Sequence, residues 1–304
     1  LGWSSRVIIM GHSCANDFSN FIANLKLSEV NEFNKTHRFH NIVKRLNLDF
    51  RGIDNDTSNA FYTGSHARGT DIYTSDVDMV IVLPYDIFKR FNSYSSNGQA
   101  ALLQEVRKSL IRTYPNTTIG GDGQVIVVEF TDGMKFEIVP AFINIDQKTY
   151  IYPDSNDGGS WEVMNPKTEV AEFNRMNDIC NSNLKALCKM IREWNIKNNV
   201  GLKGILIDSM AYHFIKDYEY NSKGPLYYDW MSRDFFMYLY ENYDRTYWSA
   251  FGSNWHIFNS KGFRNIAKKS YDTCLNAIEF ASTDKIRSYY STWGEIYGTK
   301  FNKQ

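Results

Sequence analysis

Asp76 and Asp78 stand two residues apart at the head of an apolar run, Met79-Val80-Ile81-Val82-Leu83. Along a strand, residues i and i+2 share one face, so this spacing sets two carboxylates side by side. Such a pair repels itself unless a positive charge lies between its members. Magnesium meets that need, because it takes hard oxygen ligands and shares them with substrate phosphates. Upstream, Gly64-Ser65 reads as a turn whose backbone N–H groups and hydroxyl suit a phosphate. A third acid, Glu137, sits in a second β-rich run, Met134 to Phe142, between Phe136 and Ile138, which point to the opposite face. A lone acid in a buried strand is costly unless it helps to bind a cation. The pattern predicts Asp76, Asp78 and Glu137 holding two magnesium ions, with manganese able to substitute. One ion would lower the pKa of an attacking ribose hydroxyl, and the other would grip a triphosphate and stabilise the departing pyrophosphate.

The elements that position these acids follow from periodicity. Asp17 to Leu27 and Val30 to Leu46 show the three-and-four apolar spacing of helices. The Asn/Asp-rich run from Asp54 to Asn59 is turn material, and Asn59 to Thr63 leads into Gly64-Ser65. Asp76 to Leu83 is the first catalytic strand, and Gly98 to Tyr114 is an amphipathic helix. Gln124 to Phe130 and Lys135 to Val139 form a hairpin across Thr131-Asp132-Gly133. Gly120 to Gly123 lacks the strand-loop-helix context of a phosphate loop and reads as a connecting turn. Tyr150 to Pro166 reads as loop, and from Lys167 onward the pattern is mainly helical, with one helix over Glu169 to Asn195.

These residues carry a resemblance. Gly-Ser, a spacer, Asp-x-Asp and a distant third acid are similar to the signature of polymerase-β-type nucleotidyltransferases. Within that superfamily the chain resembles the bacterial cyclic-oligonucleotide synthases, relatives of cyclic GMP-AMP synthase and oligoadenylate synthase. Gly64-Ser65-His66-Ala67-Arg68-Gly69-Thr70 resembles their Gly-Ser-Tyr-x-Arg-Gly-Thr loop, and Phe136 to Phe142 resembles their Phe-Asp-x-Val-Pro-Ala-Phe strand. Tyr152-Pro153-Asp154, Gly158 to Trp161, Asn165-Pro166 and the stretch Leu187 to Asn195 resemble the segments that follow. The likeness runs from Phe18 to His213. Two positions depart from it: Glu137 replaces the usual Asp, and His66 replaces a common Tyr.

The resemblance implies an α+β fold, a polymerase-β-type sheet with flanking helices and a helical C-terminal lobe, with the active site in the cleft between. The boundaries it suggests are 1–165 for the catalytic lobe, N-terminal helices included, and 166–304 for the helical lobe. The implied activity is the joining of nucleoside triphosphates, ATP first among them, into a cyclic di- or trinucleotide second messenger. A separate effector protein in bacterial antiphage signalling would respond to the product. Alternatives are a template-independent polymerase adding nucleotides to RNA ends or making linear oligoadenylate, and an inactive nucleotide- or RNA-binding sensor.

Further binding residues are weighed with their plainer readings. Lys185, Lys189 and Arg192 lie at i, i+4 and i+7, a stripe that suits β- and γ-phosphates, although most such stripes are solvated faces. The resemblance favours Arg192, which holds the place of the family's basic residue, and Lys189 less so. Lys203 begins the next helix, where a phosphate would fit. Arg68 either braces the Gly-Ser loop or meets a phosphate, and Asn165 either reads a base edge or makes an Asn-Pro turn. His40, His213 and His256 show no ligand spacing and read as structural.

Composition bounds the partners. The chain has 304 residues, enough for two domains. With 34 basic and 34 acidic residues its formal charge is zero, which argues against long nucleic acid and toward free nucleotides. Aromatic residues make up 15%, enough to fill a core and leave a few for stacking on bases. The 4 cysteines form no CxxC pair, which argues against a zinc site and fits a reducing cytoplasm. No apolar run is long enough for a membrane span, and Leu1 to Met10 lacks a signal-peptide core. The chain is therefore expected in the cytoplasm.

Overall fold

The computed structural model describes residues 12–74, 76–259 and 262–301. The opening stretch read for a signal core lies outside them. Two compact units emerge. Residues Leu27–Ala171 form one; the described residues up to Lys26 and those from Glu172 onward form the other. The first helix, α1 (Ala15–Asn24), thus groups with the helical C-terminal part, and the sequence boundary at 165 has its structural counterpart at Glu172.

The sheet unit begins with α2 (Glu29–Arg51), capped by Ser28, whose hydroxyl accepts from the Asn31 N–H at 3.2 Å. It then runs β1 (Ala60–Tyr62), α3 (Gly64–Arg68), β2 (Val77–Val82), α4 (Tyr85–Asn92) and α5 (Gly98–Thr113). After these come β3 (Thr118–Asp122), β4 (Val125–Glu129), β5 (Lys135–Ile143), β6 (Tyr150–Asp154) and β7 (Ser160–Met164). The main path is β1-β2-β5-β4-β3, with β6 paired to β5 and β7 to β6. The contact of β2 with β5 is parallel and the other pairs are antiparallel, so this is a mixed sheet.

Alternation divides the sheet's faces. Val77, Met79 and Ile81 of β2 and Phe136, Ile138 and Phe142 of β5 join one buried core. Phe39, Ile42, Val43 and Leu46 of α2 and Leu102, Leu103, Val106 and Leu110 of α5 close over it. Fully burying each such side chain contributes about 1.5–3 kcal/mol. The intervening residues, Asp78, Val80 and Val82 on β2 and Glu137, Val139 and Ala141 on β5, fall on the other face. There Val80, Ala141 and Tyr150 form a second buried cluster with Phe61, Val139, Tyr152 and Met164 against it.

The structure corrects several expectations. Gly64-Ser65 opens a short helix rather than a bare turn, stopped by Gly69 at φ 66°. Gly120 and Gly121 belong to edge strand β3, held by the ladder to β4. The stretch read as loop, Tyr150 to Pro166, contains the β6–β7 hairpin, in which Pro153 pairs with Trp161. The helix drawn over Glu169 to Asn195 is two, α6 (Pro166–Ile179) and α7 (Asn183–Lys197). Asn181 and Ser182 break it with φ of 49° and 65°. Helix α4 follows Pro84 and was not anticipated.

The other unit holds α1, α7, α8 (Gly204–Lys216), α9 (Tyr228–Glu241), α10 (Arg264–Ser282) and α11 (Ile286–Tyr297). A small hairpin, β8 (Tyr247–Ser249) with β9 (His256–Phe258), interrupts the helices. Its core is aromatic: Trp194, Trp248, Trp293, Tyr289, Tyr297, Phe18 and Phe235 are fully buried. All four cysteines are buried and none forms a disulfide. No helix among the described residues is long and apolar enough to cross a membrane.

Candidate active site

The three predicted acids converge on one end of one sheet face. Asp78 and Glu137 are register partners across the parallel β2–β5 ladder. Asp76 immediately precedes β2 and, two residues from Asp78, shares its face. Burial pushes the Asp76 carboxyl up, the Lys135 ammonium opposes that rise, and neighbouring Glu137 adds to it. The rise therefore comes chiefly from taking the carboxylate out of water, which Lys135 only partly offsets.

Asp78 is fitted against the Gly-Ser segment. Gly64 has φ +60°, and a Cβ built on it would lie 1.8 Å from Asp78 Oδ2. The backbone is tied at the same place, since the Thr63 N–H donates to the Asp78 carbonyl at 2.9 Å. Glycine is needed here twice, for its left-handed conformation and for the space its missing side chain leaves. The chain turns through α3 and closes on Ser65, whose carbonyl accepts from the Thr70 N–H at 3.0 Å.

Two residues that sequence reasoning passed over join the acids. Lys135 Nζ lies 2.6 Å from Glu137 Oε1 and 3.7 Å from Asp76 Oδ2. Glu129 is the antiparallel register partner of Lys135. The Lys135 ammonium is pushed up, first by its hydrogen bond to Glu137 and further by the charges of Glu137, Asp76 and Glu129. The signal was present in the sequence: Lys135 stands two residues before Glu137, and the rule that paired the aspartates pairs these as well.

The donor chemistry fits a hard divalent cation, with carboxylate oxygens on one face and a cation already drawn among them. As placed, no three His, Cys, Asp or Glu side chains among the described residues are gathered closely enough to hold a metal ion. Lys135 is the cation that spans Asp76 and Glu137 in this arrangement.

The remaining candidates distribute as follows. Arg68 ends α3 and is only 5% exposed, the burial of a brace. His66 is buried, 3.6 Å from the Asp71 carboxylate. Asn165 Oδ1 accepts from the Thr168 N–H at 3.4 Å as α6 begins, the geometry of an Asn-Pro helix entry. Lys185, Lys189 and Arg192 all lie on α7 and are each partly exposed, beside a face of fully buried Leu187, Cys188, Met190 and Ile191. The Arg192 guanidinium is engaged: Nη2 donates to both Asp208 carboxylate oxygens at 2.8 Å and to the Gly204 carbonyl at 3.2 Å. Lys203 precedes α8 as its N-cap residue. His213 meets the Ser249 carbonyl, His40 meets Asp56 and His256 stacks on Tyr247, three structural placements.

Comparison with known proteins shows what the chain is similar to. Residues 12–177 match the model of the Second Messenger Oligonucleotide or Dinucleotide Synthetase domain. A probable cyclic nucleotide synthase of Bacillus cereus (strain VD146) is 23% identical over 275 residues, covering 84% of this chain and 80% of the relative. Among solved structures, the Vibrio cholerae DncV cyclic AMP-GMP synthase with its linear intermediate superposes with a TM-score of 0.73 at 11% identity, covering 96% of this chain and 97% of that one. Escherichia coli MS115-1 CdnC, in its complex with HORMA-deltaN, gives 0.63 at 13% identity, over 95% and 98% of the two chains. The acid-bearing sheet face and the Gly64 fit thus lie inside a matched domain that spans more than half of the sequence, and the chain belongs to the Second Messenger Oligonucleotide or Dinucleotide Synthetase family.

Proposed function

We propose that this chain is a nucleotidyltransferase that joins nucleoside triphosphates into a cyclic di- or trinucleotide and releases pyrophosphate. The observation that carries the reading is the pairing of Asp78 with Glu137 across β2 and β5, with Asp76 near enough to Glu137 for Lys135 to reach both. In each transfer a ribose hydroxyl oxygen forms a bond to the α-phosphorus of a triphosphate, and the bond from that phosphorus to pyrophosphate breaks. Magnesium, or manganese in its place, held by Asp76, Asp78 and Glu137, would acidify the hydroxyl and neutralise the leaving group. The chain's own contribution is positional. Gly64 lets the Asp78 carboxylate sit close against the start of α3, and the helix-packed core beneath β2 and β5 fixes the spacing of the acids. Preorganised charge of this kind is the main source of catalysis in phosphoryl transfer.

In this reading Gly64 and Ser65 meet the donor phosphates, Arg68 braces their segment, and Lys189 and Lys203 are the phosphate-binding cations of the helical unit. Arg192 holds α7 to α8 through its ion pair with Asp208. The product would act on a separate effector in bacterial antiphage signalling. Replacing Asp76 and Asp78 together by Ala tests the reading. Pyrophosphate release should disappear while the melting curve stays cooperative; turnover at the native rate would overturn it.

A further inference from the structure

Lys135 is the feature of this site that the reaction as described does not use. It stands on β5, two residues before Glu137 and on the same face, and β4 places Glu129 opposite it. Its ammonium is 2.6 Å from one oxygen of Glu137 and 3.7 Å from one of Asp76. Its side chain keeps 30% of its exposure, as does that of Glu137, so neither is locked in the core. A lysine carries its charge on a flexible stem with several rotatable bonds. Moving it away exchanges one partly exposed ion pair for another, and such pairs hold little net stability.

We propose that Lys135 is a resident counter-ion that occupies the cation position between Asp76 and Glu137 and must swing out when a divalent metal loads. This inference rests on the reading of the acids as the metal site. With the metal absent, the ammonium neutralises the crowded carboxylates and lets the sheet end close without repulsion. With the metal present, the ammonium is a like charge a few ångströms away and weakens its binding. The site thereby stays assembled but responds to the metal only above a threshold concentration. A reach back toward a bound triphosphate gives the displaced ammonium a new anionic partner, which couples metal loading to nucleotide loading.

The test compares the full chain with its Lys135→Met and Lys135→Arg variants. Two readouts are taken: Mn2+ affinity, from the electron paramagnetic resonance of free Mn2+, and melting temperature in EDTA. A monovalent charge near a divalent one in aqueous surroundings is worth roughly a ten-fold change in affinity. K135M should therefore bind Mn2+ roughly ten-fold more tightly and melt lower in EDTA, while K135R stays near the native values. Affinity in K135M equal to or weaker than native, with native binding intact, would overturn the role of Lys135 and leave the metal site standing. Native binding that survives Asp76→Ala with Asp78→Ala would instead sink the metal-site reading itself. If K135M does not fold, Lys135→Gln carries the same expectation, because it also removes the charge.

Discussion

Gly64→Ala is the sharpest perturbation the site allows, because the same substitution elsewhere supplies its control. At Gly64 an added Cβ would lie 1.8 Å from Asp78 Oδ2, 2.6 Å from Cγ and 2.9 Å from Cβ, at φ +60°. At Gly52, which ends α2 with φ +68°, an added Cβ meets nothing within 4 Å. The two substitutions impose the same left-handed strain, about 1–2 kcal/mol for a residue with a side chain. G52A should therefore lower the melting temperature by about 2–8 °C, and G64A by at least as much because its methyl group also strikes Asp78. They differ in what the methyl group strikes. In G64A the Asp78 carboxylate must retreat by more than about 1 Å, and misplacement of that size at a reacting centre costs about 100-fold in rate. Pyrophosphate release from nucleoside triphosphates, measured at saturating metal, should fall by about 100-fold or more in G64A and stay near native in G52A. Activity in G64A within about three-fold of G52A, about 0.65 kcal/mol of barrier, would refute the claim that Asp78 is held in place by the absent side chain.

Other consequences follow from the electrostatics. Asp76→Asn should abolish turnover yet melt in EDTA no lower than the native chain. Burial already holds that carboxyl above its ordinary value, so its charge opposes folding at neutral pH. A clear drop in melting temperature would contradict this. Asp208→Ala should cost about 3–5 kcal/mol in urea unfolding, because it strands a guanidinium in the interior; Asp208 is 0% and Arg192 11% exposed. Glu172 is depressed from 4.5 to about 2, chiefly by Arg175 and further by the Tyr212 hydroxyl. A depressed carboxylate stabilises the fold above its unfolded pKa and loses that contribution as pH falls toward the folded one. Glu172→Gln should therefore flatten the loss of stability between about pH 4.5 and 2, read by urea unfolding across that window. An unchanged acid limb would refute the ion pair.

What could be read from the sequence was what strict periodicity writes. The i, i+2 rule placed Asp76 and Asp78 on one face and alternation set Glu137 opposite Phe136 and Ile138; the β2–β5 register then puts Glu137 beside Asp78. Asp132-Gly133 marked the β4–β5 hairpin, in which Gly133 takes φ +86°. The apolar pattern of Gly98 to Tyr114 marked α5. Elements that depend on partners rather than on pattern escaped. Strand β3 carries Gly120 and Gly121, poor strand formers that only the ladder to β4 holds extended. Pro153 made β6 read as loop, although a strand with tolerant neighbours accepts it. The break between α6 and α7 has no Gly or Pro; Asn181 and Ser182 take left-handed backbone there at a cost the tertiary structure absorbs. The spacing of Lys189 and Arg192 suggested a binding face, whereas the buried Asp208 that engages Arg192 lies on a different helix and gives no local signal.

The most direct test of the account is incubation of the purified protein with all four nucleoside triphosphates and Mg2+, with Mn2+ in parallel, followed by phosphatase treatment and mass spectrometry. The account predicts a phosphatase-resistant product whose mass is that of a cyclic di- or trinucleotide, absent from the variant lacking Asp76 and Asp78. Products that phosphatase degrades to linear chains bearing free ends, or a resistant product that survives loss of both aspartates, would contradict it.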